Sequence, residues 1–156
     1  MFAALVVFVL AAPVDPPKEK EKPKELPEAA KKELKKLEGK WKLLKAADST
    51  KEAEPDPKEP TILFVFKGNE LTMEYGERKE AIRITAIDPS TDPKCIDLAE
   101  KRRDDPERTI EGVYKIDGDT LQIALHIPKD AKQRPVGFEK PTDPRTMVWT
   151  LKRIKE

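Results

Sequence analysis

The alternation of apolar and polar residues constrains the fold of this chain most. From Gly39 onward, apolar side chains recur at every second position in segments 41–46, 61–66, 70–75, 80–86, 109–116, 119–125 and 146–153, with a shorter segment at 94–98. A period of two indicates strands with one buried face. Eight short strands must protect their edges, and closure into a barrel does so. We therefore predict a mainly β fold: an eight-stranded antiparallel barrel in meander order, preceded by a short helix.

Glycine-containing turns predict which strands are neighbours. Asp117-Gly118 and Gly68-Asn69 are two-residue hairpin signals, and residues 76–79 provide a four-residue loop. Each turn brings apolar residues of adjacent strands onto one face, as a half-buried antiparallel sheet requires. The predicted opposing pairs are Tyr114–Leu121, Gly112–Ile123, Ile110–Leu125, Phe66–Leu71, Phe64–Met73, Ile62–Tyr75, Met73–Ile82 and Leu71–Ile84.

The segment before Gly39 predicts export, a tether and a helix. Residues 2–12 are uncharged and almost all apolar, too short to span a bilayer, which needs about 20 residues, and typical of a signal peptide over 1–12. An alternative is an apolar strand or helix inside the domain. Residues 13–27 contain five prolines and eight charges, which favours a disordered tether. Residues 28–38 form the predicted helix, with Ala30, Leu34 and Leu37 on one face, and the barrel domain spans 39–156.

Composition excludes several classes of function. The chain has 31 Lys and Arg against 30 Asp and Glu, a balance that argues against nucleic acid as a partner. One Cys excludes an internal disulfide framework, and one His excludes a site that needs two imidazoles. No phosphate-loop, serine-elbow or zinc motif occurs. We therefore expect no catalytic residues, metal or cofactor, and no transmembrane span in the mature chain.

Five polar residues remain as candidates for chemistry, and each has a structural alternative. Asp117 and Asp119 flank a glycine, where turn formation is favoured over acid–base work. Asp97 either orients a ligand or makes a turn or capping hydrogen bond, and we favour the second. His126 falls on the outer face of its strand by alternation. Cys95 has no histidine near it in sequence to activate its thiol.

The two ends of the predicted barrel carry a structural signature. Gly39-Lys40-Trp41 opens the first strand, and Arg153 ends the last strand in phase with its inward side chains. This combination resembles the lipocalin signature, in which a late arginine packs across the tryptophan. The resemblance implies a structural cation–π contact that closes one barrel end.

A longer resemblance covers about 115 of the 156 residues. It rests on segments LEGKWKLL (37–44), IDPSTDPKCIDL (87–98), IEGVYKIDGDTLQIAL (110–125), RPVGFE (134–139) and MVWTLKR (147–153). In this order they resemble a planctomycete domain family of unknown function, similar to lipocalins and usually found behind an export signal. The resemblance implies a lipocalin-like barrel and carries no established activity or ligand.

Aromatic and aliphatic side chains on the inner face define the candidate ligand site. They either line a small apolar cavity or fill the core, and their bulk favours a filled core. The candidates are Phe64, Phe66, Met73, Tyr75, Tyr114, Ile123 and Trp149. We predict a non-enzymatic domain, exported to the periplasm, cell envelope or medium, that binds a small apolar molecule. The alternative is an envelope module, with a filled barrel, that serves structure or binds another protein.

Overall fold

The computed structural model describes residues 25–101, 106–127 and 133–155. The predicted signal peptide and residues 13–24 of the predicted tether lie outside the described residues. Within these described ranges one helix and nine strands follow one another: α1 Glu28–Leu37, β1 Gly39–Ala47, β2 Glu52–Ala53, β3 Ile62–Lys67, β4 Glu70–Tyr75, β5 Arg78–Asp88, β6 Lys94–Glu100, β7 Arg108–Asp117, β8 Thr120–His126 and β9 Thr146–Arg153. The helix is too short to cross a membrane, and the described residues contain no other helix.

Eight of these strands close into an antiparallel barrel. They pair in the order β1-β3-β4-β5-β6-β7-β8-β9, and β9 returns to β1 with Trp41 opposite Arg153 and Leu43 opposite Leu151. Strand β2 adds a two-residue pairing to the end of β1. The predicted fold class is therefore confirmed. Closure leaves no long unpaired edge, because each of these eight strands has a neighbour on both sides.

The predicted register is correct at one hairpin. At the loop Gly68-Asn69, the pairs Phe66–Leu71, Phe64–Met73 and Ile62–Tyr75 form as expected.

The predicted register is wrong by two residues at the other two hairpins. Tyr114 lies opposite Ile123, and Leu71 lies opposite Ile82. The loops are Gly118-Asp119 and Gly76-Glu77, each with glycine first at φ 58°. Glycine adopts this left-handed backbone at little cost, so it takes the first loop position and sets the register. A shift of two keeps every side chain on its predicted face.

The helix plugs one end of the barrel, which we call the closed end. Strand β1 starts there and β9 ends there, since Trp41 and Arg153 are paired. Ala30, Leu34 and Leu37 of the helix are buried in the main core cluster. The opposite end, where the Gly76-Glu77 hairpin lies, is the open end. Below the open end the inner face is apolar, because alternation directs the large apolar side chains of the strands inward.

Two strands approach closely at Gly112 on β7. A Cβ at this position would lie 2.5 Å from Leu125 Cδ2 and 2.7 Å from the Ala124 carbonyl oxygen. Real Cβ atoms do not approach other atoms so closely, so only glycine fits here without a shift of β8.

A segment outside the barrel covers a second apolar cluster that the sequence analysis missed. The cluster consists of Ala47, Val113, Ala124 and Val148 on the outer face, and Phe138 packs against it. Phe138 belongs to residues 133–145, which we call the strap. Part of the outer face is therefore buried, although simple alternation predicts a solvated outer surface.

Candidate functional site

The inner half of the barrel nearest the helix is filled by side chains. Phe64, Phe66, Tyr114 and Ile123 are each at most 2% exposed and belong to one core cluster. Four of the seven predicted lining residues thus lie where protein atoms surround them. A contact between any of the seven and a ligand stays a prediction.

The three remaining lining residues are more exposed. Met73 and Trp149 are partly buried against the core, and Tyr75 is 40% exposed. The rings of Phe64 and Trp149 lie 5.0 Å apart, centroid to centroid, in a tilted arrangement. This geometry is favourable for aromatic pairs, and it places a rigid apolar contact below the open end.

A pocket of about 570 Å³ opens beside the β4–β5 hairpin at the open end, and we call it the cup. Ile62, Met73 and Tyr75 line it from the inner face, because they share the phase of buried Phe64 and Leu71. The remaining lining residues are Glu74, Arg78, Lys79 and Glu80. The cup therefore combines apolar side chains with charged groups at the hairpin.

The charged groups of the cup divide into paired and unpaired ones. Lys79 Nζ lies 2.8 Å from Glu74 Oε1. Arg78 and Glu80, which lie opposite Tyr75 and Met73 and so share their face, form no ion pair with another described residue. An unpaired guanidinium and an unpaired carboxylate are thus available to a polar group at this rim.

An ion pair lies on the adjacent wall of the open end. Glu100 and Arg108 are direct neighbours on β6 and β7, and Arg108 Nε donates to Glu100 Oε2 at 2.6 Å. Both share the inner phase of Leu98 and Ile110. Glu100 is only 7% exposed, and a charge so poorly solvated requires a partner of this kind.

The signature residues lock the helix onto the closed end. The Arg153 guanidinium carbon lies 4.1 Å from the centre of the Trp41 ring, so the predicted cation–π contact is present. Arg153 also donates to the carbonyl oxygens of Lys36 at 2.6 Å and Glu38 at 2.7 Å. Trp41 Nε1 donates to the Leu37 carbonyl oxygen at 2.8 Å. These donors satisfy carbonyls that a helix end leaves unpaired, which is a structural role.

The backbone conformation explains why the signature begins with a glycine. Gly39 has φ 115°, a region that other residues rarely adopt, and a Cβ there would lie 3.4 Å from Arg153 Nη1.

A buried carboxylate lies between the helix and the barrel. Glu33 is 3% exposed and binds Lys36 Nζ at 2.7 Å and the Lys94 ammonium group. Burial alone would raise its pKa, but the hydrogen bonds from the two lysines outweigh burial and hold the pKa below its ordinary value. The nearby Tyr114 hydroxyl makes no hydrogen bond to a described residue. Its pKa is raised, mainly by burial and secondly by the neighbouring charge of Glu33.

Asp97 lies within β6 and not at a turn, so the favoured turn or capping role is wrong. Arg134 of the strap reaches it, with Nη1 2.7 Å from Asp97 Oδ1. The same nitrogen donates to the Gly112 carbonyl oxygen at 2.7 Å, and Nη2 lies 3.7 Å from Glu111 Oε1. The hydrogen bond to Asp97 raises the pKa of Arg134. This network anchors the strap to the sheet.

A groove of about 730 Å³ lies between the strap and the outer face of β8. His126, on the outer face as predicted, lines it and is 3% exposed. Its Nδ1 lies 3.0 Å from Thr146 Oγ1 and 4.0 Å from Asp143 Oδ2. Further lining comes from Gln122, Gln133, Arg134, Pro135, Val136, Gly137, Phe138, Glu139, Lys140, Pro141 and Thr142. Sequence reasoning missed this groove, although segment 134–139 was among those carrying the family resemblance.

The remaining candidates have structural surroundings. Asp119 lies in the Gly118 hairpin and binds Lys155 Nζ at 2.7 Å, a hydrogen bond that lowers its pKa. Cys95 is partly buried, and Thr91 donates to its sulfur at 3.3 Å. In residues 25–101, 106–127 and 133–155 no three potential metal ligands cluster together.

Comparison with known proteins identifies no relative: no family model, curated protein or solved structure matches this chain. Membership of the planctomycete family therefore stays a prediction.

Proposed function

We propose that this domain is a binding protein that holds a small amphiphilic molecule at the open end of its barrel. The observation that carries the proposal is the cup, in which inward-facing Ile62 and Met73 remain partly exposed above a filled core. Its volume of about 570 Å³ lies within the usual range of ligand pockets, roughly 300–1,000 Å³.

The filled inner half limits how deep a ligand reaches. Phe64 is 1% exposed, so its ring forms a floor against Trp149 and not a wall of free space. An apolar chain or ring therefore enters only the outer part of the barrel. A polar end of the ligand remains at the rim, where Arg78 and Glu80 have no described ion-pair partner.

A charge placed on the inner face of the cup tests this proposal. Met73→Glu buries a carboxylate against the ligand, whereas Thr72→Glu adds the same charge on the outer face of the same strand. We expect Met73→Glu to weaken binding of anilinonaphthalene sulfonate and dodecanoate at least about tenfold, which corresponds to a loss of about 1.4 kcal/mol of binding free energy. Thr72→Glu should bind as the wild type does, by fluorescence titration. Equal affinities in the two variants, or no binding by the folded wild type, would refute the proposal.

We also propose that the chain is exported, on the strength of the apolar segment 2–12 followed by the charged, proline-rich segment 13–27. N-terminal sequencing of the protein from its native cells should find residues 1–11 or slightly more removed. An N-terminus at Met1 in the mature protein would contradict export.

A further inference from the structure

The groove beneath the strap contains a buried imidazole with one unused nitrogen. His126 Nδ1 is occupied by Thr146 Oγ1 at 3.0 Å, but Nε2 has no hydrogen-bond partner among the described residues. His126 is 3% exposed and lines the groove. The Nε2 atom itself is not fully buried, so a ligand in the groove can reach it. The groove therefore presents a free ring nitrogen that can hydrogen-bond a ligand.

The charges around the groove disfavour an anionic ligand. The guanidinium of Arg134 is already engaged by Asp97 and by the Gly112 carbonyl oxygen. Asp143 brings a carboxylate to the same wall, which repels an anion. Gln122, a neutral amide on the outer face of β8, makes no side-chain hydrogen bond to a described residue. On the groove floor, the Gln122 amide and His126 Nε2 are the hydrogen-bonding groups that have no partner among the described residues.

The floor of the groove also disfavours an extended peptide. Strand β8 is paired along its length with β7 on one side and β9 on the other. Extended peptides usually bind by adding a strand to a free sheet edge, and β8 offers none. A purely apolar ligand fits poorly as well, because it would leave His126 Nε2 unpaired.

We propose that this groove binds a neutral saccharide. One sugar hydroxyl pairs with His126 Nε2, and another pairs with the Gln122 amide, which both donates and accepts. The ring of Phe138, half-buried on the strap and part of the groove lining, offers an apolar face to the C–H side of the sugar. This site is on the outside of the barrel and is independent of the cup.

The single histidine of the chain makes this proposal directly measurable. Because the chain has 1 His, the imidazole nitrogens give one set of NMR signals without assignment ambiguity. We would titrate the full chain with cellobiose, maltose and N,N′-diacetylchitobiose, and in parallel with glucose phosphate and dodecanoate. At least one neutral disaccharide should shift the Nε2 resonance saturably and more than Nδ1, which Thr146 already holds.

A variant tests whether the shift comes from the groove. Gln122→Ala removes one expected hydrogen bond and should weaken the same sugar about 2- to 12-fold, the effect of a single net hydrogen bond. Thr72→Ala, on the distant strand β4, should leave sugar affinity unchanged. The proposal is overturned if no neutral disaccharide moves the His126 signals, if glucose phosphate binds more tightly, or if Gln122→Ala and Thr72→Ala behave alike. Dodecanoate binding with no sugar binding would refute this site and leave the cup intact.

Discussion

Arg153→Lys is the substitution that best tests how the helix is held on the barrel. The guanidinium makes three contacts at once: the Trp41 ring at 4.1 Å and the carbonyl oxygens of Lys36 and Glu38 at 2.6 and 2.7 Å. Lysine keeps the charge and most of the aliphatic stem but is a point donor without the planar fork. It can replace at most part of this arrangement.

The expected loss follows from those contacts. A hydrogen bond to a charged group contributes about 1.5–3 kcal/mol, and the cation–π contact adds about 0.5–2 kcal/mol. If lysine keeps one carbonyl contact and some attraction to the ring, the free energy of unfolding falls by about 2–3 kcal/mol. For a domain of this size that is roughly 6–12 °C in Tm.

Urea unfolding followed by tryptophan fluorescence measures this loss, since Trp41 lies directly under Arg153. The matched control is Lys152→Arg, the neighbouring position, whose side chain is exposed on the other face. The control should unfold within about 0.5 kcal/mol of the wild type, as surface substitutions usually do. If Arg153→Lys also stays within that margin, the guanidinium fork does not hold the helix and the reasoning fails.

Two further predictions concern packing and acid stability. Gly112→Ala should lower the free energy of unfolding by about 1–3 kcal/mol, because its Cβ meets a backbone oxygen at 2.7 Å. Gly137→Ala is the control and should leave the free energy of unfolding unchanged, since a Cβ there lies in open space. Equal thermal midpoints for the two variants would contradict the close approach of β7 and β8 at Gly112. Glu33 has a lowered pKa, so its stabilisation is present above the unfolded pKa of about 4.3 and is lost as pH falls through the lower folded value. The urea midpoint of Glu33→Gln should therefore approach that of the wild type on acidification below about pH 4, and a constant difference would show that Glu33 does not titrate as inferred.

The alternation of apolar and polar residues correctly predicted which side chains face the barrel interior, but it predicted the strand register at only one of three hairpins. The reason is physical. Burial of one side forces Phe64 and Leu71 inward whatever the alignment, because a slip of one residue would expose them. A slip of two residues leaves the same side chains buried, so the position of the glycine in each loop decides the register. Gly76 and Gly118 take the first loop position, a detail of backbone conformation that the apolar pattern does not contain.

The strap and its groove were beyond the reach of local patterns. Arg134 meets Asp97 across 37 positions of sequence, and neither helical nor strand periodicity records such a contact. Val113 and Val148 stand at outward positions and indicate in retrospect that something covers the outer face. The sequence therefore predicted the barrel, the helix and the Arg153–Trp41 contact, but it did not predict where the second pocket would form.

Because the helix plugs one end of the barrel, the two ends of the domain differ. Helix α1 joins β1 at the plugged end, and β9 finishes beside it at Arg153. A segment that continues the chain past either terminus of the barrel therefore departs from that side, while the cup faces away. If the segment before residue 28 attaches the protein to a surface, the attachment point and the cup lie at opposite ends of the barrel. The proposed ligand in the cup would then face away from that surface, separated from it by about the length of the barrel.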